Sequence, residues 1–241
     1  MTAQEHYKKH LAHFYSWMAG DFTSKSKAFK QFLIDQNIQP SGNKVAIDLG
    51  AGHGLQSIAL AELGFLVTAV DFNQHLLNEL MENGKGLSIT PVLGDIKNVS
   101  TYGQSAEVLI CWGDTLTHLD SKTEIQTFIE HCSMSLEKKG KLLLSFRDYS
   151  MPLTGVDRFI PVKSDDTKIL TCVLDYEDES VWVSDVLHEK IEGGWQQKVS
   201  EYKKVRISAA EVVRYVEAAK LSVQVHEVAN RLVTLVASKK K

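Results

Sequence analysis

Residues 45–54, VAIDLGAGHG, constrain this 241-residue chain more than any other stretch. Val45, Ala46, Ile47 and Leu49 form a short apolar run broken only by Asp48, the pattern of a strand buried on both faces. Gly50, Gly52 and Gly54 follow at alternate positions. Without a Cβ, such a stretch can turn sharply and bring its backbone against a ligand. Ile58, Ala59, Leu60 and Leu63 then have helical spacing up to Gly64, a helix stop. A strand, a glycine turn and a helix in that order predict an α/β unit with a ligand at the turn.

The following residues repeat the alternation. Strands are predicted over 65–70, ending at Asp71, and over 89–93, ending in Gly94-Asp95-Ile96. Two more cover 107–112, followed by Gly113-Asp114, and 141–146. Between them Leu76, Leu77, Leu80 and Met81 mark one helix. A capping box, Ser121 with Glu124, opens another that carries Ile125, Phe128, Ile129, Cys132 and Leu136 and stops at Gly140. Strands alternating with helices imply right-handed crossovers and a parallel sheet. Past Arg147 the pattern changes: β-rich runs at 168–175, 181–188 and 197–207, with turn signals between them, read as an antiparallel meander. Ser208 with Glu211 opens a last helix. Strands at 222–228 and 232–237 follow, too close together to be parallel. Residues 5–40 are helical in spacing, with Leu11, Phe14, Tyr15 and Met18 on one face and Phe29, Phe32 and Leu33 on another, interrupted at Gly20. These residues leave core and lid equally open. The expected organisation is a helical cap over 1–40, a cofactor-binding core over 41–150, a β insertion over 151–206 closing on the substrate, and a helix and hairpin over 207–241 that complete the core.

Composition excludes several classes. Apolar residues are 44% and charged residues 24%, as in an ordinary globular protein, and a formal net charge of −3 offers no basic field for nucleic acid or an anionic membrane. Cys111, Cys132 and Cys172 form no C-x-x-C pair, which argues against a disulfide framework or zinc site and suits a reducing compartment. His6, His10 and His13 are spaced irregularly for a metal face. The charged N-terminus is unlike a signal peptide and no stretch is apolar enough to span a bilayer, so a cytoplasmic location is expected. Trp182 and Trp195 read as core of the meander.

In an open α/β sheet ligands sit at the carboxyl ends of the strands, where Asp48, Asp71, Asp95 and Gly113-Asp114 fall in succession. A carboxylate at Asp71 can accept two ribose hydroxyls, and Asp95 with the Ile96 amide can meet an adenine. A dinucleotide fingerprint needs its third glycine at position 55, which is Leu55, so S-adenosylmethionine is preferred over a nicotinamide or flavin.

VAIDLGAGHG resembles motif I of the class I S-adenosylmethionine-dependent methyltransferases, VDFN (70–73) their acidic second motif and GDI (94–96) their third. The resemblance implies a Rossmann-like, mostly parallel seven-stranded sheet with an antiparallel last strand. Gly50, Ala51, Gly52 and the end of the first strand at Asp48 would hold the methionine moiety, Asp71 the ribose, and Asp95 with Ile96 the adenine. Phe72 would lie on the adenine, with Tyr15 and Trp112 also at the cofactor and S-adenosylhomocysteine as product. GDTLTHL (113–119) and FRDYS (146–150) resemble segments of glycine N-methyltransferase and its relatives, which implies His118 as a pocket residue and Arg147 as a carboxylate clamp. Asp114 stands where that family has asparagine, and a carboxylate there would attract a cationic amine or orient a donor. Arg147 could instead pair with Asp148, and His118 could cap the Ser121 helix. The expected reaction is methyl transfer to nitrogen or oxygen of a small molecule, without nucleic acid, membrane or metal. The oligomeric state is left open, a homodimer included. Alternatives are an inactive S-adenosylmethionine-binding protein, a methyltransferase of macromolecules and a dehydrogenase.

Overall fold

In the computed structural model, residues 1–240 are described. Seven strands make one sheet: β1 (Val45–Leu49), β2 (Leu66–Asp71), β3 (Ile89–Leu93), β4 (Ala106–Cys111), β5 (Leu136–Arg147), β10 (Leu221–Ala229) and β11 (Leu232–Lys239). Their order is β10-β11-β5-β4-β1-β2-β3. The pairs among β1 to β5 are parallel, and β11 runs antiparallel to both β5 and β10. The chain order reverses at β1, between β2 and β4, which opens a crevice above the glycine turn.

Burial of both faces explains the apolar run in β1. Ala46 faces a core layer with Phe29 and Leu33 of α3 (Phe22–Asp35) and with Ala59 and Leu60 of α4 (Leu55–Glu62). Ile47 and Leu49 face the other layer, with Phe128 and Ile129 of α6 (Lys122–Ser135) and Val212 and Val216 of α7 (Ala209–Ala218). The helix α5 (Gln74–Asn83) covers β2 and β3 and buries Leu76, Leu77 and Leu80.

A second, four-stranded antiparallel sheet holds β6 (Phe159–Ser164), β7 (Lys168–Tyr176), β8 (Ser180–Ile191) and β9 (Gly194–Val205), in that order. Its existence and turns are as expected, but the sequence reading had three strands, not four. The missing β6 contains Pro161 and a register shift beside it, features an edge strand tolerates and a pattern search discounts. Trp195 is 50% exposed and Trp182 lies half-buried on the outer side, bonded to Glu177 at 2.9 Å, so neither is core. Helix α6 stops at Ser135 rather than Gly140. Leu136 is already extended and pairs with Ala106, while Lys139 takes a positive φ before β5 continues.

The N-terminal segment divides at Gly20, which has a φ of +84°. Helix α3 is core of the large sheet. The preceding α1 (Ala3–Lys9) and α2 (Tyr15–Ala19), joined by a turn that buries Leu11 and Phe14, pack instead on Leu170 and Leu187 of the small sheet.

Candidate active site

The carboxyl edge of the large sheet opens into a cavity of about 630 Å³. Its floor is the glycine turn. The Gly50 and Ala51 amides both donate to the Val70 carbonyl, at 2.8 and 3.0 Å, which folds the turn back on the end of β2. Gly50 has a φ of +82°, and a Cβ there would meet Thr115 Cγ2 at 2.5 Å. Thr115, in the turn after β4, therefore packs directly on the glycine turn and leaves no room for a side chain at position 50. At Gly52 (φ +53°) a Cβ would point at the Tyr15 hydroxyl, 3.5 Å away.

Asp71 ends β2 with its carboxylate fixed by backbone. Oδ2 accepts from the Gly52 amide at 2.8 Å and Oδ1 from the Asn73 amide at 2.8 Å. Burial pushes its pKa up, the amides of Asn73, Gly52 and Phe72 pull it back, and it settles at about 6. Each oxygen keeps a lone pair for the cavity, so the group can accept two vicinal hydroxyls. Phe72, Leu93, Gly94, Asp95 and Ile96 continue the wall. Asp95 also caps its own turn, Oδ1 accepting from the Lys97 amide at 2.9 Å. Trp112 lines the opposite side and packs edge-on against Phe29, centroids 4.9 Å apart.

Of the thirteen residues expected at the site, ten line this cavity: Tyr15, Gly50, Ala51, Gly52, Asp71, Phe72, Asp95, Ile96, Trp112 and His118. Three do not. Asp48 points under the turn and takes a 2.6 Å hydrogen bond from the Ser57 hydroxyl, with a pKa raised by burial to about 7. Asp114 is buried behind the cavity and paired with Lys204, so it attracts no cationic amine. Arg147 is exposed and outside the lining; it contributes its backbone amide to Asp114 at 2.8 Å. Nor does it pair with Asp148, whose carboxylate accepts from the Ser150 and Ala209 amides, each at 2.8 Å. A carboxylate clamp at Arg147 is therefore not part of this cavity. His118 does not cap α6 either, since Ser121 accepts from Glu124 there.

Sequence reasoning missed the residues that α1 and α3 bring. Tyr7 meets Phe72 edge-on at 5.3 Å and His118 at 5.8 Å, and its hydroxyl pKa is pushed well up by burial. Lys25 reaches the cavity beside His53 and donates to the Ala19 carbonyl. The aromatic run near the N-terminus was the available signal for Tyr7. Nothing distinguished Lys25 from other exposed lysines.

A glycine turn, an acid at the end of the second strand and a seven-stranded sheet closed by an antiparallel hairpin together define a class I S-adenosylmethionine-dependent methyltransferase fold. Residues 46–140 match a family described as a methyltransferase domain. The chain is 29% identical over 133 residues to a glycine/sarcosine N-methyltransferase of Aphanothece halophytica, which covers 54% of this chain and 50% of that protein. It is also 29% identical over 131 residues to a ubiquinone biosynthesis O-methyltransferase of Coxiella burnetii, covering 52% of this chain and 54% of the relative. The chain thus spans about half the length of the curated relatives it matches. Among solved structures, an S-adenosylmethionine-dependent methyltransferase from Clostridium acetobutylicum superposes with a TM-score of 0.75 at 16% identity, over 98% of this chain and 97% of that one. Among the described residues, no helix is long and apolar enough to cross a membrane, and no three or more His, Cys, Asp or Glu residues are grouped to hold a metal ion.

Proposed function

We propose that this protein is an enzyme that transfers the methyl group of S-adenosylmethionine to a nitrogen or oxygen atom of a small molecule. The observation that carries the reading is Asp71: a strand-end carboxylate held by two backbone amides, facing a cavity floored by Gly50 and Gly52. A carboxylate so held suits a ribose diol, and a turn without side chains suits close approach by an amino acid moiety. The residues present fit the cofactor, because the glycine turn and the Asp71 carboxylate, its two oxygens fixed by backbone amides, both border the cavity.

In this reading Asp71 binds the ribose, Phe72 with Asp95 and Ile96 the adenine, and Gly50 to Gly52 the methionine moiety, with Lys25 at its carboxylate. Tyr15 is pressed on Gly52 and has a hydroxyl pKa raised to about 12 by burial and by the nearby Asp71 and Asp48, so it acts as a neutral donor. The bound cofactor supplies an electrophilic methyl on a positively charged sulfur. The chain's part is alignment and exclusion of water, worth ~7–11 kcal/mol when two reactants are held in line. Held by Gly50 to Gly52, Asp71, Phe72, Asp95 and Ile96, the cofactor would supply the methyl group to an acceptor lone pair and would depart as a neutral thioether. His118 faces the acceptor and α1 roofs it through Tyr7. The relatives named for glycine/sarcosine and for ubiquinone biosynthesis both act on small molecules, which supports that acceptor class. A carboxylate on the acceptor is not required, since Arg147 stands apart from the cavity.

The test is calorimetric titration with S-adenosylhomocysteine, for which wild-type protein should show micromolar or tighter binding and Asp71→Asn none measurable. Binding of NAD in place of S-adenosylhomocysteine would overturn the reading.

A further inference from the structure

Two kinds of contact fasten the N-terminal segment to the rest of the molecule. Past Gly20, α3 is held by apolar burial, with Phe29 and Leu33 in the core of the large sheet. The turn at 11–14 is held in the same way on the small sheet, through Leu11 and Phe14. Helix α1 differs, since its one buried residue is His6. The His6 ring meets no solvent and is bonded at both nitrogens, Nδ1 to the Ser200 hydroxyl at 2.8 Å and Nε2 to Asp185 Oδ2 at 3.0 Å. It stacks on Tyr202, with centroids 4.1 Å apart and planes at 30°. The other Asp185 oxygen accepts from the Cys172 thiol at 2.7 Å. The cavity side of this segment is Thr2, Ala3, Gln4 and Tyr7. The helix breaks at His10 (φ −137°, ψ −71°), whose Nε2 is buried without a partner.

Resting on the methyltransferase reading, we propose that α1 is a lid over the cofactor cavity, hinged at His10 and latched by His6, whose opening sets the rate at which cofactor and product exchange. Asp71 faces the cavity yet is only 6% exposed, so the carboxylate for the ribose is reached past the wall that α1 completes. Tyr7 bears on both ends of the site, on Phe72 at the adenine wall and on His118 at the acceptor end. The latch is releasable because its contacts are polar. Water can take the place of each hydrogen bond of His6, Ser200 and Asp185 once the helix lifts, but it cannot replace the apolar burial that holds α3 and the turn at 11–14. A helix of seven residues has little stability of its own, so its place depends on this contact. Movement of His6, whose ring centroid is 5.5 Å from that of His10, also opens a way for water to the unpartnered His10 nitrogen. The hinge falls at His10 rather than Gly20, because Leu11 and Phe14 stay buried between them.

Stopped-flow mixing of the full-length protein with S-adenosylhomocysteine tests this, read by the fluorescence of Trp112 in the cavity wall. His6→Ala should raise the association and dissociation rate constants together by about tenfold, the factor that two lost hydrogen bonds of ordinary strength supply, and move the affinity by less than about threefold. His6→Gln, which keeps a side-chain donor and acceptor, should bring both rates back towards wild type. Damage to the fold would speed dissociation alone, so a folded His6→Ala that associates no faster than wild type overturns the proposal. Should His6→Ala not fold, Ser200→Ala removes one bond of the latch and should speed both steps by about threefold. Hydrogen exchange of the ligand-free protein reads the latch without the cofactor. Either variant should speed exchange at residues 6–10 and leave 11–14 and α3 as in wild type. Unchanged exchange at 6–10, or equal speeding through to α3, would also overturn the proposal. A latch seen by exchange in a protein that binds no S-adenosylhomocysteine in calorimetry would sink the cofactor reading and leave the lid standing, so either idea can fail alone.

Discussion

The glycine end and the His118 end of the cavity differ in what their walls are made of. At the glycine end the wall is largely backbone: the turn at Gly50 to Gly52, and an Asp71 carboxylate held by two amides. At the other end it is side chains carried by separate elements, namely Tyr7 from α1, His118 from the turn after β4, and Tyr202 with Lys204 from β9 behind them. Backbone geometry follows from local sequence and tolerates little change. An assembly of side chains can be rebuilt residue by residue, which suits a cofactor that stays the same and an acceptor that differs between enzymes.

The largest effect should come from distorting the glycine turn. Gly50→Val forces a side chain into the space held by Thr115 at a backbone angle that favours glycine, so S-adenosylhomocysteine binding should vanish in calorimetry while the fold persists by circular dichroism. Retained affinity would mean the cofactor does not use this turn. At the other end, His118→Ala should change S-adenosylhomocysteine affinity by less than about threefold and lower turnover by about a hundredfold, the scale of one lost polar contact to the reacting group. Equal losses in both would erase the division between the two ends.

A third effect depends on pH. Asp71 must be ionised to accept two hydroxyls, and its pKa in the free protein is about 6. Cofactor affinity should therefore be flat above pH 7 and fall towards tenfold per unit below 6, because one proton must leave before binding. Asp48→Asn should keep that slope, since Asp48 lies outside the cavity. An affinity independent of pH from 5 to 8 would remove Asp71 from the ribose contact. The smallest effect belongs to Arg147→Ala. With its side chain exposed and outside the cavity, both cofactor affinity and turnover should stay within about twofold, the usual range for an exposed substitution away from a site. A hundredfold loss of turnover would restore the clamp that the FRDYS segment suggested.

These contrasts also explain what could be read in advance. The strand ends at Asp71 and Asp95 and the turn at Gly50 to Gly54 were legible because each is a short-range pattern. Asp114 and Arg147 were misplaced for the converse reason: their neighbours in sequence look like pocket residues, but the pairing with Lys204 and Tyr149 that sequesters Asp114 spans long stretches of chain. Edge strand β6 escaped because a proline and a bulge hide its alternation.

By itself the sequence determined the alternating strand–helix frame, the antiparallel closing hairpin and the glycine–acid series at the strand ends, since periodicity and backbone freedom are local properties. Only the tertiary structure decided that the two sides of Gly20 pack on different sheets, that Tyr7 roofs the cavity, and that Lys204 pairs with Asp114 behind it. Those are contacts between elements far apart in the chain, fixed by how the small sheet packs against α1 and the turn after β4, and no local pattern encodes them.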